Sequence, residues 1–173
     1  MPELRMMATT GMLGYGYTEE AFRRGMSLKP DFIAADGGSM DPGPYYLGEG
    51  VPFVSRQAVK RDLSLMLEAG IETGTPVLIG SAGGGGSDPQ VAFVREIAEE
   101  IAREKGLSFR MAVIHAEQPK DYLRRKQHDG RIRPLGPIAD LTDESIDETH
   151  RVVGMMGVEP FQKALEDGAQ VII

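Results

Sequence analysis

Short apolar, β-branched runs alternate along the chain with longer segments in which apolar residues recur every three or four positions. The first pattern is typical of buried strands and the second of amphipathic helices packed on a sheet. Their alternation predicts an α/β fold with an open, mainly parallel sheet flanked by helices, a doubly wound, Rossmann-like three-layer arrangement. We place strands at Leu4 to Ala8, Asp31 to Ala35, Val77 to Gly80, Arg110 to His115 and Ala169 to Ile173.

Two long segments show the clearest helical stripes, and both stripes are expected to face the sheet. One segment runs from Ser55, a suitable N-cap, to Ala69, and Gly70 is expected to stop it. The other is expected to begin at Asp88, whose carboxylate can cap the first turn, and to end at Gly106.

Shorter helices are expected between the remaining strands. Thr18, followed by two glutamates, is a suitable helix start. Further helical segments are predicted at Lys120 to Gln127, Asp143 to Val153 and Glu159 to Asp167. The two glycines of GMMGV at 154–158 should separate the last two helices.

Length and composition agree with one ordinary domain. The 173 residues, of which 41% are hydrophobic, suffice for one core, so we treat 1–173 as a single α/β domain. No apolar run approaches the length of a membrane helix, and the N-terminus lacks the apolar centre of a signal peptide, which predicts a cytoplasmic protein without membrane attachment. The absence of cysteine excludes disulfides, thiolate nucleophiles and cysteine-ligated metal centres.

The charge distribution disfavours polyanionic partners. A net charge of −7 repels nucleic acid and anionic membrane surfaces. One basic cluster, Lys120 with 124–126, is expected to be a solvated helix face. His128 and His150 lie in polar segments and are expected at the surface.

Ligands of open parallel sheets collect at the carboxyl ends of the strands, so the loops after each strand are the places to look for a site. Four of these loops are rich in glycine and polar residues. We call them the first loop (TTGMLGYG, 9–16), the second loop (DGGSMDPGP, 36–44), the glycine loop (GSAGGGGSD, 80–88) and the fourth loop (HAEQ, 115–118).

The glycine loop stands directly before a predicted helix start. Its bare amides and the helix N-terminus could together face one anion, such as a carboxylate, a phosphate or an acyl-CoA. The candidate ligand-binding residues are Ser81, Gly83, Gly84, Gly85, Gly86, Ser87 and Asp88. A flexible connection that needs glycine backbone angles is the alternative. The loop has neither the lysine of a Walker motif nor the G-x-G-x-x-G spacing of a dinucleotide site.

The first and second loops are each open to two interpretations. Thr10 and Gly11 belong either to a site or to a tight turn, because the order G-x-x-G-x-G reverses the nucleotide fingerprint. Asp36, Ser39 and Asp41 bring two carboxylates and a hydroxyl together, which suits a hard cation or, at Asp36, a general base. The competing interpretation is an Asx-type turn in which the acids cap backbone amides.

The fourth loop places an imidazole and a carboxylate at the same rim. His115 ends a predicted strand, and Glu117 follows two residues later. One hypothesis makes His115 a general acid or base with Glu117 beside it. A structural histidine bonded to a neighbouring carbonyl is the other. No metal and no cofactor is identified by the residue pattern.

The C-terminal run GAQVII reads as the start of a buried strand with no element after it. The chain is therefore either a fragment or is completed by another chain. An exposed strand edge near Val171 to Ile173 predicts association, as a homo-oligomer or with a second polypeptide.

Four runs carry a family resemblance: ATTGMLGYG, PDFIAADGGSMDPGPYYLGEG, LIGSAGGGGSD and MMGVEP. Together they resemble the N-terminal half of the acyclic terpene utilisation (AtuA-type) family, whose members are usually longer than this chain. The resemblance implies the N-terminal part of a longer family domain and a catabolic enzyme acting on a branched acyclic acid or its coenzyme A thioester. It also implies pocket roles for the matching loop positions Thr10, Gly11, Asp36, Ser39, Asp41, Gly83 to Gly86 and Asp88.

Three functions from different classes remain open. The leading hypothesis is a lyase, hydratase or related enzyme in which the glycine loop holds an anion and Asp36 or His115 moves a proton. The second is a non-catalytic subunit that binds a partner at the sheet edge, and the third is a nucleotide- or phosphate-binding regulatory domain. For the enzyme, we expect Thr10, Asp36, Ser81 and His115 to converge on one cleft.

Overall fold

The computed structural model of the protein describes residues 3–39 and 41–173. These residues contain a five-stranded, all-parallel sheet in the order β1-β2-β3-β5-β4. The strands are β1 (Met6–Ala8), β2 (Phe32–Asp36), β3 (Val77–Gly80), β4 (Met111–Ala112) and β5 (Val171–Ile172). The predicted α/β class is confirmed, and each predicted strand overlaps an observed one.

Helices connect the strands, as the alternating pattern predicts. In the described residues they are α1 (Glu19–Ser27), α2 (Tyr45–Glu49), α3 (Arg56–Thr73), α4 (Asp88–Lys105), α5 (Lys120–His128), α6 (Asp143–Glu148) and α7 (Glu159–Glu166). Thr18 caps α1 as predicted, because its hydroxyl accepts a hydrogen bond from the amide of Ala21 at 3.2 Å. Helix α2 was not predicted.

Apolar side chains of the central strands alternate between two cores. Val77 and Ile79 face the larger core, to which α3 and α4 contribute their stripes. Leu78 and Ile172 face a smaller core on the opposite side, where Ala164 of α7 packs. Helices therefore cover both faces of the central sheet, which gives the predicted three layers.

Strand β5 lies inside the sheet, between β3 and β4. Val171 and Ile172 are fully buried, and Ile173 is 3% exposed. The expectation of an exposed strand edge at Val171 to Ile173 is wrong, because both sides of β5 are paired. Association as a homo-oligomer or with a second polypeptide remains a prediction, without support from this edge.

Helix α3 begins where predicted but continues further. The Ser55 hydroxyl accepts a hydrogen bond from the amide of Ala58 at 3.3 Å. Gly70 does not stop the helix but is buried within it, and an added Cβ there would lie 2.6 Å from a methyl group of Val77. The glycine permits close packing on the sheet, and Gly74, with φ 70°, ends the helix instead.

Two further helix predictions need correction. Ser87, not Asp88, is the N-cap of α4, and it forms a capping box with Gln90. The helix predicted to Val153 stops at Glu148, since Thr149 is extended and Val153 pairs with Glu117 of the fourth loop.

None of the helices in the described ranges combines the length and the apolar character required to cross a membrane.

Candidate functional site

The four loops lie side by side along the carboxyl edge of the sheet. The amide of Leu13 in the first loop donates to the carbonyl of Asp36 at 2.7 Å. The amide of Gly37 in the second loop donates to the carbonyl of Gly80 at 2.6 Å. The glycine loop reaches the fourth loop through Asp88, as described below. Met40 of the second loop lies outside the described residues.

The candidate residues on this edge are nevertheless spread over its width. Thr10 follows β1 and His115 follows β4, which are the two outermost strands of the sheet. Four strand spacings of about 4.8 Å separate these strands by roughly 19 Å. Asp36 is the last residue of β2 and Ser81 follows β3, and these two strands are neighbours. A small ligand would therefore contact either the Asp36–Ser81 side or the His115 side, and only an extended one could contact both.

A buried carboxylate holds the first loop in place. Asp62 of α3 is 1% exposed, and its Oδ2 accepts hydrogen bonds from the amides of Gly14 at 2.8 Å and Gly16 at 3.0 Å. Its Oδ1 accepts two from Arg61. Burial and the nearby Asp62 charge raise the pKa of the Tyr17 hydroxyl, which donates to the Asp62 carbonyl at 2.6 Å. Sequence reasoning missed Asp62, although an acid on the apolar stripe of a helix is a usable signal.

The predicted ligand residues of the first loop have ordinary turn contacts. The Thr10 hydroxyl donates to the carbonyl of Met12 at 3.2 Å. Gly11 is exposed, and an added Cβ there would contact nothing. These observations agree with the turn interpretation and leave a ligand contact as a prediction.

Side-chain turns shape the second loop. Asp36 Oδ1 accepts a hydrogen bond from the amide of Gly38 at 2.9 Å, which is the Asx turn weighed above. The Ser39 hydroxyl accepts one from the amide of Asp41 at 3.2 Å. Both carboxylates are exposed. The other carboxylate oxygen of Asp36, Oδ2, thus remains available to a ligand at the end of β2.

The four consecutive amides of residues 84–87 in the glycine loop donate to internal acceptors. Gly84 donates to the Ser81 carbonyl and Gly86 to the Ala82 carbonyl, each at 3.1 Å. The amides of Gly85 and Ser87 both donate to Gln90 Oε1, at 3.1 and 3.3 Å. In the described structure, internal acceptors therefore occupy the positions that the anion hypothesis assigns to a ligand.

Gln90 links the glycine loop to α2. It is fully buried, and its Nε2 donates to the carbonyls of Tyr46 at 3.2 Å and Val51 at 3.0 Å. Its Oε1 also accepts the Ser87 hydroxyl at 2.9 Å. Sequence reasoning missed this residue, although a glutamine three positions after a serine is a capping-box signal.

A cluster of paired charges joins α4 to the fourth loop. His115 Nδ1 lies 2.8 Å from Asp88 Oδ1. Glu117 Oε2 accepts a hydrogen bond from the Asp88 amide at 2.8 Å, and Oε1 accepts one from Arg151 Nη1 at 2.8 Å. The His115 side chain is 61% exposed, and its Nε2 has no hydrogen-bond partner among residues 3–39 and 41–173. The imidazole is thus oriented by a carboxylate and open to solvent.

Beside this cluster lies a depression of about 290 Å³. Its lining residues are Asp88, Glu117, Gln118, Pro119, Lys120, His150, Arg151 and Val152. Arg151 Nε is buried without a hydrogen-bond partner in the described part of the chain. The depression therefore combines three basic side chains with the two acids. None of the three basic residues, Lys120, His150 and Arg151, was predicted as a site residue.

The described residues contain no group of three or more histidine, aspartate or glutamate side chains that could hold a metal ion.

The fold and the four loops at the carboxyl edge of the sheet together define the protein as an open parallel α/β protein with polar loops at the ends of its strands. The family model described as "Acyclic terpene utilisation family protein AtuA" matches residues 56–173, more than half of the chain. The protein belongs to this acyclic terpene utilisation family. No curated protein and no solved structure shows a significant match.

The family match begins at Arg56 and includes the glycine loop, the fourth loop and the MMGVEP run. The first and second loops, which carry two of the four resembling runs, precede it. Residues 56–173, the C-terminal part of this chain, thus confirm the family. The interpretation of the chain as the N-terminal half of a longer family domain stays a prediction.

Proposed function

We propose that the protein is a catabolic enzyme that binds a branched acyclic carboxylate or its coenzyme A thioester and transfers a proton through His115, as a lyase or hydratase does. The observation that carries the proposal is the His115–Asp88 pair. A carboxylate on Nδ1 orients the ring, so that Nε2 points away from its partner and can exchange a proton with a ligand.

The neighbouring depression supports an anionic ligand. Lys120, His150 and Arg151 contribute positive or protonatable groups to its lining. Arg151 is paired with Glu117 through Nη1 alone, and its Nε has no hydrogen-bond partner in the described residues. In hydration, His115 Nε2 would take a proton from water while the water oxygen bonds to the β-carbon, and the imidazolium would then give a proton to the α-carbon, which restores neutral His115. Elimination of water is the reverse.

The test compares wild type, His115→Gln and His128→Gln on the 3-methylbut-2-enoyl group, presented as the free acid and as the coenzyme A thioester. Hydration is followed by loss of the conjugated double bond. His128 is the matched control, because it is also 61% exposed and paired with a carboxylate, Asp143, at 2.9 Å.

We expect His115→Gln to lower turnover by about 10²–10⁴-fold and His128→Gln to leave it unchanged. Equal rates in wild type and His115→Gln would contradict the proposal, as would the absence of turnover in the wild type.

A further inference from the structure

Ser81 has a left-handed backbone, with φ 45° and ψ 43°, directly after β3. This region crowds the Cβ of every residue except glycine. Lys29, with φ 53°, is the other described non-glycine residue of this kind, but it follows the end of α1, where such a conformation is common. The conformation of Ser81 has no such explanation.

The rest of the glycine loop has glycine wherever the backbone angle requires it. Gly83, Gly84 and Gly86 have φ values of 71°, 132° and 74°. Ser81 is therefore the one positive-φ position of the loop that carries a side chain. Strained residues of this type collect at ligand-binding positions.

The Ser81 hydroxyl does not stabilise the loop. It caps no helix, and it has no hydrogen-bond partner in the described ranges. Ser87, in the same loop, is buried and bonded to Gln90. Ser81 is exposed instead, at the carboxyl end of a central strand. Its hydroxyl is free to donate to a ligand oxygen.

Asp36 provides an acceptor at the end of the neighbouring strand. Asp36 pairs with Gly80 in the sheet, and its carboxylate bonds the amide of Gly38. An added Cβ at Gly38 would lie 2.8 Å from the Ser81 Cβ, so the two loops are in close contact. A donor next to a carboxylate fits a neutral group that has both an acceptor and a donor, whereas a ligand carboxylate would be repelled.

We propose that Ser81 and Asp36 form a subsite for a neutral amide, the kind of group found in the pantetheine arm of an acyl thioester. Ser81 donates to the amide oxygen, and Asp36 accepts from the amide N–H. Two strand spacings, about 10 Å, separate Ser81 from the strand that leads to His115, and three, about 14 Å, separate Asp36 from it. That separation suits an arm remote from the reacting carbon. The inference rests on the proposed function and selects the thioester over the free acid.

The experiment measures kcat/KM and melting temperature for wild type, Ser81→Gly and Ser81→Ala. The 3-methylbut-2-enoyl group is supplied as the coenzyme A thioester, as the N-acetylcysteamine thioester, which retains one amide, and as the methyl thioester, which has none. Lys29→Gly is the control, because it relieves the same backbone conformation away from the subsite.

We expect both Ser81 variants to lose at least tenfold in kcat/KM with the two amide-containing thioesters and less than twofold with the methyl thioester. Ser81→Gly should melt at or above the wild-type temperature, and Lys29→Gly should retain wild-type kcat/KM. Equal loss on all three thioesters, or no loss on any, would overturn the inference.

Free pantetheine separates this inference from the proposed function. We expect it to raise the melting temperature of the wild type and of His115→Gln but not of Ser81→Gly. If turnover is absent and this shift remains, the proposed function fails and the amide subsite stands. If pantetheine does not shift the wild type, the subsite is wrong whatever the turnover.

Discussion

Glu117 Oε2 accepts the backbone amide of Asp88 at 2.8 Å, so a carboxylate of the protein itself occupies the N-terminus of α4. Its other oxygen binds Arg151. The fourth loop is thereby fastened to the glycine loop and to the segment after α6.

Replacing Glu117 tests this fastening. Glu117→Ala should lower the free energy of unfolding by about 1–3 kcal/mol, because it leaves the Asp88 amide and Arg151 without their acceptor. Glu117→Gln keeps one acceptor oxygen and should cost less. Urea denaturation measures both values, and equal stability of Glu117→Ala and wild type would show that water replaces the carboxylate without loss.

Asp88→Asn separates orientation of His115 from stability. The amide can still hold the ring but cannot stabilise an imidazolium, so we expect turnover to fall by at least tenfold. The free energy of unfolding should change by less than about 1 kcal/mol, because the pair is exposed. Unchanged turnover with a folded protein would argue that Asp88 has no part in the reaction.

Asp62→Ala should destabilise the first loop and the whole domain. The variant removes the acceptor of two backbone amides and of Arg61, and we expect a loss of about 2–3 kcal/mol. Asp121→Ala is the control, since that carboxylate is 83% exposed and its ion pair with Arg124 should contribute little to stability. Similar losses in the two variants would contradict the role given to Asp62.

Gln90→Leu keeps the side-chain volume but removes every hydrogen bond that the amide makes. We expect faster hydrogen exchange at the amides of Gly85 and Ser87, together with a loss of about 3 kcal/mol or more. Unchanged exchange at both amides would mean that the loop holds its shape without Gln90.

An acid-sensitive ion pair joins α3 to α4. Hydrogen bonds from Lys60 and Arg56 lower the pKa of Glu100 from 4.5 to about 2. Because the folded pKa is depressed, the stabilisation is present above the unfolded value and is lost as pH falls through the folded value. The stability difference between wild type and Glu100→Gln should shrink from pH 5 towards pH 2. A difference that stays constant over this range would exclude the contribution of Glu100.

Local signals predicted the individual elements well. The bounds of β3 and the caps at Thr18 and Ser55 follow from residue patterns within a few positions of each feature. Where a tertiary contact decides, the prediction was wrong. Gly70 lies within α3 because the sheet packs against it. Val153 lies outside α6 because it pairs with Glu117.

In the candidate site, too, local sequence predicts some features and tertiary structure decides the others. Its position at the carboxyl ends of the strands follows from the βα alternation. The strand order, however, sets the distance between His115 and Thr10, and no local pattern encodes that order. The acceptors Glu117 and Gln90 for the glycine-loop amides are likewise evident only in three dimensions.

The interior place of β5 has a consequence for how the chain assembles. Strands β1 to β3 are consecutive in sequence and pair directly, so they can form one cooperative unit early. In the described sheet β4 pairs with β5 alone, and β5 follows β3 by more than half of the chain. We therefore expect β4 to dock late, after the long-range pairing of β5 with β3, which is the type of contact that slows folding. His115, carried by β4, would be positioned last, and Asp36 and Ser81 first.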